Sequence, residues 1–91
     1  MDKKIRLAAV KERTPRLIEA LTAVWEHSVR ATHHFLSEPE ILRIRAYVPQ
    51  AVGGVAQLVA AENQAGEPVG FMGVENGRVE MLFLAPEARG C

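Results

Sequence analysis

The residues best suited to chemistry lie near the end of the 91-residue sequence. Glu80 is the one charged residue in the otherwise apolar run of residues 79–84. A carboxylate held among apolar neighbours is a candidate proton acceptor, whereas a solvent-facing glutamate at a strand edge has no chemical role. Pro86 ends the run, and Arg89-Gly90 follows it. A basic residue and a glycine in this order often precede a phosphate-cradling turn at a helix N-terminus.

A second candidate group is the pair His33-His34, which follows the first predicted helix. Histidine titrates near neutral pH, so either residue is suited to binding or deprotonating a nucleophile. The alternative is a solvated turn, or a cap for the last carbonyls of the helix. Two adjacent histidines without a third ligand do not make a zinc site, so no metal is predicted. Cys91 lacks the nearby His and Asp partners that activate a nucleophilic thiol.

The composition limits the functional classes. Hydrophobic residues make up 48% and charged residues 24%, as in a folded globular domain, and the length suits one small domain. Eleven basic residues balance eleven acidic ones, which gives no support to nucleic-acid binding or to a polybasic membrane anchor. No apolar run reaches the roughly 18 residues of a membrane-spanning helix. The single cysteine predicts a reducing, cytoplasmic setting.

The elements that must position these residues are predicted in the order β-α-α-β-β-β. Residues 5–10 predict a short strand near a sheet edge. Thr14-Pro15 is typical of a helix start, and the helix should run to about residue 31. Glu26 and Arg30 lie four residues apart on its polar side, in the favourable order for an ion pair. Its predicted apolar face contains Leu17, Ile18, Leu21, Val24, Trp25, Ser28, Val29 and Thr32.

A capping box begins the second predicted helix, because the side chains of Ser37 and Glu40 can each bond the other's backbone amide. This helix should reach about Val48, and Pro49 should end it. Residues 50–55, with two adjacent glycines, are predicted to form a flexible loop. The buried positions of the helix are expected to be Ile41, Ile44, Tyr47 and Val48.

Three strands follow, predicted over residues 56–62, from Pro68 to about residue 75, and over residues 79–84. Asn76-Gly77 is the clearest turn signal in the chain and predicts a two-residue type I′ hairpin. The nearly continuous apolar run of the last strand is typical of a central strand covered on both faces.

The apolar strand, Pro86-Glu87 and Arg89-Gly90-Cys91 together resemble the start of the acetyl-CoA signature of the GNAT superfamily of N-acetyltransferases, Arg/Gln-x-x-Gly-x-Gly/Ala. Residues 28–37 resemble the helix 1–helix 2 region of a bacterial subgroup of that family. The resemblance covers nearly all 91 residues but only the N-terminal half, or a little more, of a family domain. It implies a GNAT-like α+β fold with a mixed sheet, incomplete at its C-terminal side.

The resemblance implies transfer of an acetyl group from acetyl-CoA to a primary amine of a small molecule or peptide. Glu80 would be the general base. The pantetheine arm would pair with the backbone of Leu82, Phe83 and Leu84, whose side chains would be core, and the pyrophosphate would lie against Arg89, Gly90 and Cys91. The acceptor wall would contain Trp25, His33, His34 and Phe35, although the two aromatic residues suit a core equally well.

A non-catalytic α+β module that self-associates or binds a protein partner is the alternative. If the fold ends with the last predicted strand, that strand keeps an open edge and an exposed apolar face. We expect a second copy of the chain to cover this surface, which would make a homodimer. Both signature glycines and the general-acid tyrosine of the family belong to the part of the family domain that these 91 residues do not match. The resemblance therefore does not imply that the 91 residues are active by themselves.

Overall fold

The computed structural model describes residues 5–32 and 36–86, which form one antiparallel sheet with helices packed on one face. The strands pair in the order β1-β2-β3-β4, so β1 lies at an edge as predicted. In chain order the elements are β1 (Arg6–Ala9), α1 (Pro15–Thr32), α2 (Glu38–Arg45), α3 (Val48–Gly54), β2 (Gln57–Glu62), β3 (Pro68–Glu75) and β4 (Arg78–Leu84). No helix in these two ranges is long and apolar enough to cross a membrane.

Helix α1 is the main partner of the sheet. Its start is capped as predicted, since the amide of Leu17 donates to the hydroxyl of Thr14 at 3.1 Å. Its apolar face packs with Leu58 and Phe71 of the sheet in one core. Thr22 is also buried, and its hydroxyl donates to the carbonyl of Ile18 at 2.8 Å, which satisfies the polar group. The buried residues of α1 are Leu21, Thr22, Val24, Trp25, Ser28 and Val29.

The second helix is shorter than predicted. Its capping box is confirmed, with bonds of 2.8 Å and 3.3 Å between Ser37 and Glu40. The helix ends at Arg45, and the prediction that Ile44 and Tyr47 are buried is wrong. Tyr47 is 66% exposed, because the chain turns between α2 and α3 and presents it to solvent.

The predicted loop over residues 50–55 is mostly helix, so that prediction is wrong. Pro49 does not end a helix here. It occupies the first turn of α3, where its missing N–H is not needed for a hydrogen bond. Val48 and Val52 of α3 are buried against the core, and this packing outweighs the poor helix propensity of Gly53 and Gly54.

Strand β4 follows a tight turn at Asn76-Gly77. Both residues have positive φ, 53° and 75°, which confirms the type I′ hairpin. The prediction that β4 is covered on both faces is wrong for the described residues. Met81 and Phe83 pack against the core below the helices, whereas Leu82, on the other face, is 62% exposed. One layer of helices covers one face of this sheet.

Ion pairs join α1 to α2. Arg30 contacts Glu26 at 2.8 Å, as predicted, and also contacts Glu38 with two bonds of 2.6 Å and 2.7 Å. Arg45 contacts the other oxygen of Glu26 at 2.6 Å. Hydrogen bonds from Arg30 and Arg45 hold the pKa of the Glu26 carboxyl below its ordinary value, and Arg30 does the same for the pKa of Glu38.

These lowered pKa values predict a loss of stability in acid. A carboxyl with a lowered folded-state pKa stabilises the fold above its ordinary pKa of 4.5, and this contribution disappears as pH falls through the folded-state value. We expect the free energy of unfolding to fall from about pH 6 to about pH 3. Glu26→Gln should fall less steeply, as measured by urea unfolding at each pH. Glu12→Gln, outside the network, should keep the original slope, and equal slopes for the two variants would contradict the assignment.

Candidate functional site

An apolar cavity of about 260 Å³ lies between the helices and the outer part of the sheet. Trp25 of α1, Ile44 of α2 and Phe83 of β4 form much of its wall. Among the described residues that line it, Glu80 is the one that carries a charge. The cavity therefore combines an apolar interior with a single carboxylate.

A wider cavity of about 500 Å³ adjoins the first one, and the two share Tyr47, Ala51, Glu80 and Met81. We call the two together the Glu80 cleft. Its wider part continues to Gly54 and Val55 at the end of α3, and to Gln50 and Glu75. The charged residues among its described lining are both acidic, so the cleft favours a cationic ligand.

A β-bulge explains why Glu80 lines this cleft. Val74 pairs with Val79 and Gly73 pairs with Met81, so Glu80 is one extra residue in β4. A bulge redirects a side chain from the strict alternation of a strand. Glu80 remains 46% exposed, and Arg78 Nε lies 3.9 Å from its Oε2. The carboxylate is therefore at the mouth of the cleft, within reach of solvent and of a ligand.

Trp25 is both a core residue and part of the wall. It is 5% exposed, belongs to the main core and lines the narrower cavity. Its burial confirms the core interpretation, and its part in an acceptor wall stays a prediction. Ile44 and Tyr47 were expected in the core and instead are exposed along the cleft. The signal for both was their position beside Pro49, where a new helix starts and the preceding apolar residues are left facing a gap.

The backbone of β4 offers an open edge beside the cleft. Ala85 N–H donates to the Val69 carbonyl at 2.7 Å, and alternation of the antiparallel ladder then directs the backbone groups of Leu82 away from β3. Within the described residues no strand pairs with that side of β4. The side chain of Phe83 is half-buried, with its ring centroid 5.5 Å from that of Phe71. Leu82 and Leu84 are exposed, so the prediction that their side chains are core is wrong.

The remaining predicted site residues lie outside the described residues. These are His33, His34 and Phe35 after α1, and Arg89, Gly90 and Cys91 after β4. Their roles stay predictions. The described part of the chain brings together no group of three metal-ligating side chains.

The chain is similar to known proteins in sequence. It is 41% identical over 78 residues to peptidyl-lysine N-acetyltransferase YjaB of Escherichia coli strain K12, covering 80% of this chain and 49% of that protein. It is 38% identical over 72 residues to the protein of the same name from Salmonella typhimurium strain LT2, covering 79% and 49%. The chain thus spans about half the length of the curated relatives it matches. No family model matches it.

The fold is similar to a solved structure. The solution structure of apo-form YjaB from Escherichia coli superimposes with a TM-score of 0.76 at 33% identity, over 100% of this chain and 58% of that chain. The predicted α+β, GNAT-like fold class is confirmed by this likeness, although the four described strands are all antiparallel and do not show the mixed sheet that the resemblance implies.

The fluorescence of Trp25 should report ligand binding in the Glu80 cleft. Trp25 is the single tryptophan of the chain and lines the cavity, so millimolar butylamine should change its fluorescence as the alkyl chain enters. Ala51→Phe should fill the cleft and abolish the change. Ala46→Phe, at the end of α2 and outside the cleft lining, should leave it intact. An equal response from both variants would place the ligand elsewhere.

Proposed function

The chain is a homologue of the YjaB-type N-acetyltransferases of the GNAT superfamily, and we propose that it is part of an enzyme that acetylates the side-chain amine of lysine in a peptide or protein. The donor would be acetyl-CoA. The observation that carries the proposal is the position of Glu80, a carboxylate at the mouth of an apolar cleft beside the open edge of β4.

The cleft suits the acceptor. A lysine side chain has an apolar stem and a cationic end, and such side chains bury the stem while the charge stays at a polar site. The stem would lie along the wider part of the cleft, against Tyr47 and Met81, and the ammonium would reach Glu80.

The transfer needs two proton movements. Glu80, directly or through a water molecule, takes one proton from the lysine ammonium, so that the neutral nitrogen can attack. The nitrogen then forms a bond to the acetyl carbonyl carbon, and the bond from that carbon to sulfur breaks. The nitrogen loses a second proton, and the leaving thiolate of CoA takes up one proton to become a thiol.

The donor would lie along β4. The backbone groups of Leu82 face the open edge, where an extended amide-containing chain such as pantetheine can pair as an added strand. Leu82, Phe83 and Leu84 would hold the arm, and Arg89 with Gly90 and Cys91 would contact the pyrophosphate. Because the matched region is about half of each relative, we propose that these 91 residues supply part of the acetyl-CoA contact and have little activity by themselves.

Glu80 gives the test of this function. A chimera joins the 91 residues to the part of Escherichia coli YjaB that they do not match, and CoA release is followed with a lysine peptide. We expect acetylation, and Glu80→Gln should lower kcat by about 100-fold, within the range of general-base contributions. Glu67→Gln, in the turn between β2 and β3 and outside the cleft lining, is the matched control and should keep the original rate. Equal rates for the two variants across the pH range would rule out the base role.

A non-catalytic module is the competing function, and acetyl-CoA binding distinguishes it. Calorimetry with the 91-residue chain and with the chimera should show binding that is weak or undetectable in the first and clear in the second. If neither binds acetyl-CoA, the module becomes the better account.

A cytoplasmic setting belongs to the proposal, because the one cysteine offers no internal disulfide.

We also propose that a second copy covers the sheet face opposite the helices. Leu7 and Leu82 are 71% and 62% exposed on that face, and an uncovered apolar sheet surface beside an open edge favours association. Sedimentation equilibrium of the 91-residue chain should give the mass of a dimer, and Leu82→Lys should give a monomer. Leu42→Lys, on the outer side of α2, should remain a dimer. A monomeric unmodified chain at high micromolar concentration would contradict the proposal.

A further inference from the structure

Arg13, which precedes α1, binds the end of α3 across the fold. Its guanidinium donates to the backbone carbonyls of Val52, Gly53 and Ala56 at 3.2 Å each, and to the carbonyl of Val55. The last carbonyls of a helix have no partner within the helix. At the end of α3 no glycine in the left-handed region closes the turn, since the C-cap Val55 is extended. The arginine supplies these hydrogen bonds instead.

Glu75, at the end of β3, holds the same turn from the opposite side. Its Oε1 accepts a hydrogen bond from the amide of Ala56 at 2.8 Å. Ala56 is therefore bonded through its carbonyl to Arg13 and through its amide to Glu75. Bonds in which one partner is charged are stronger than those between neutral groups, so the two side chains together set the position of the turn.

The side chain of Val55 is buried in the core, but few other contacts hold the backbone around Gly53 and Gly54. Gly53 and Gly54 are exposed, and a Cβ added at Gly54 would have no heavy atom within 4 Å. Yet Gly54 and Val55 line the wider part of the Glu80 cleft, and Glu75 lines the wall that faces them. A shift of the turn therefore changes the width of the cleft directly.

We infer that Arg13 and Glu75 are positioning residues for the acceptor: they fix the turn after α3 and so the width of the Glu80 cleft. The inference rests on the proposed function, because it takes the cleft as the site of the acceptor lysine. Neither residue needs to touch the acceptor for this role. Glu75 acts through the oxygen that accepts a hydrogen bond from the Ala56 amide. Arg13 acts through the hydrogen bonds that it donates to the backbone carbonyls of the turn.

The test measures binding of Nα-acetyl-lysine methylamide to the 91-residue chain by NMR titration. Arg13→Ala and Glu75→Ala should each raise the dissociation constant by about fivefold or more, which is comparable to the loss of one or two hydrogen bonds. Glu75→Gln keeps an oxygen that can accept the Ala56 amide and should retain most of the affinity. Arg13→Lys should bind the ligand more tightly than Arg13→Ala but less tightly than the unmodified chain, because an ammonium reaches fewer carbonyls than a guanidinium.

The controls separate positioning from charge and from folding. Each titration is made below the onset of thermal unfolding of that variant, and the double Ala variant should be less impaired than the two single effects combined, because both act on one turn. If Glu75→Gln binds as weakly as Glu75→Ala, the carboxylate attracts the acceptor by charge and the positioning role is wrong. Unchanged affinity in both Ala variants also overturns it. If the unmodified chain gives no shifts, the acceptor assignment itself fails, and with it the proposed function.

Discussion

The structure depends on the packing of one helix against one face of one sheet. Leu21, Val24 and Trp25 of α1 are buried against Leu58 and Phe71, and the other helices are added around this contact. The same contact fixes β3 and β4 below α1. It therefore places Trp25 and Phe83 on two sides of the same cavity.

Helix α2 is held differently, by polar contacts more than by buried side chains, whereas α3 buries Val48 and Val52 in the core. Ile41 is the one buried residue of α2, and the ion pairs Arg45–Glu26 and Arg30–Glu38 also join this helix to α1. Exposed ion pairs contribute little stability each. The end of α3 is held by the buried side chains of Val52 and Val55 and, at its backbone, by the hydrogen bonds of Arg13 and Glu75. We therefore expect the α2 side of the cleft to open locally at a lower free energy than the α1–sheet side.

Local chemistry in the sequence predicted local structure well. The Ser37–Glu40 capping box, the Thr14 cap and the Asn76-Gly77 turn each depend on residues within four positions of one another, and each is confirmed. Pro49 was misread because proline is compatible with both the end and the first turn of a helix, and the burial of Val48 and Val52 decided between them. Composition and spacing do not contain that information.

The parts of the site that escaped prediction depend on long-range contacts. Arg13 bonds carbonyls about forty positions away. Glu80 is a candidate from the sequence, but the register shift that directs it into the cleft has no signature in a short sequence pattern. Both facts bear on how the cleft works. In the proposed function, the donor would lie along a strand locked into the sheet, and the acceptor would lie against two short helices. Arg13 and Glu75 would fix the α3 end of this acceptor wall, while α2, held largely by ion pairs, would adjust to the surface that presents the lysine.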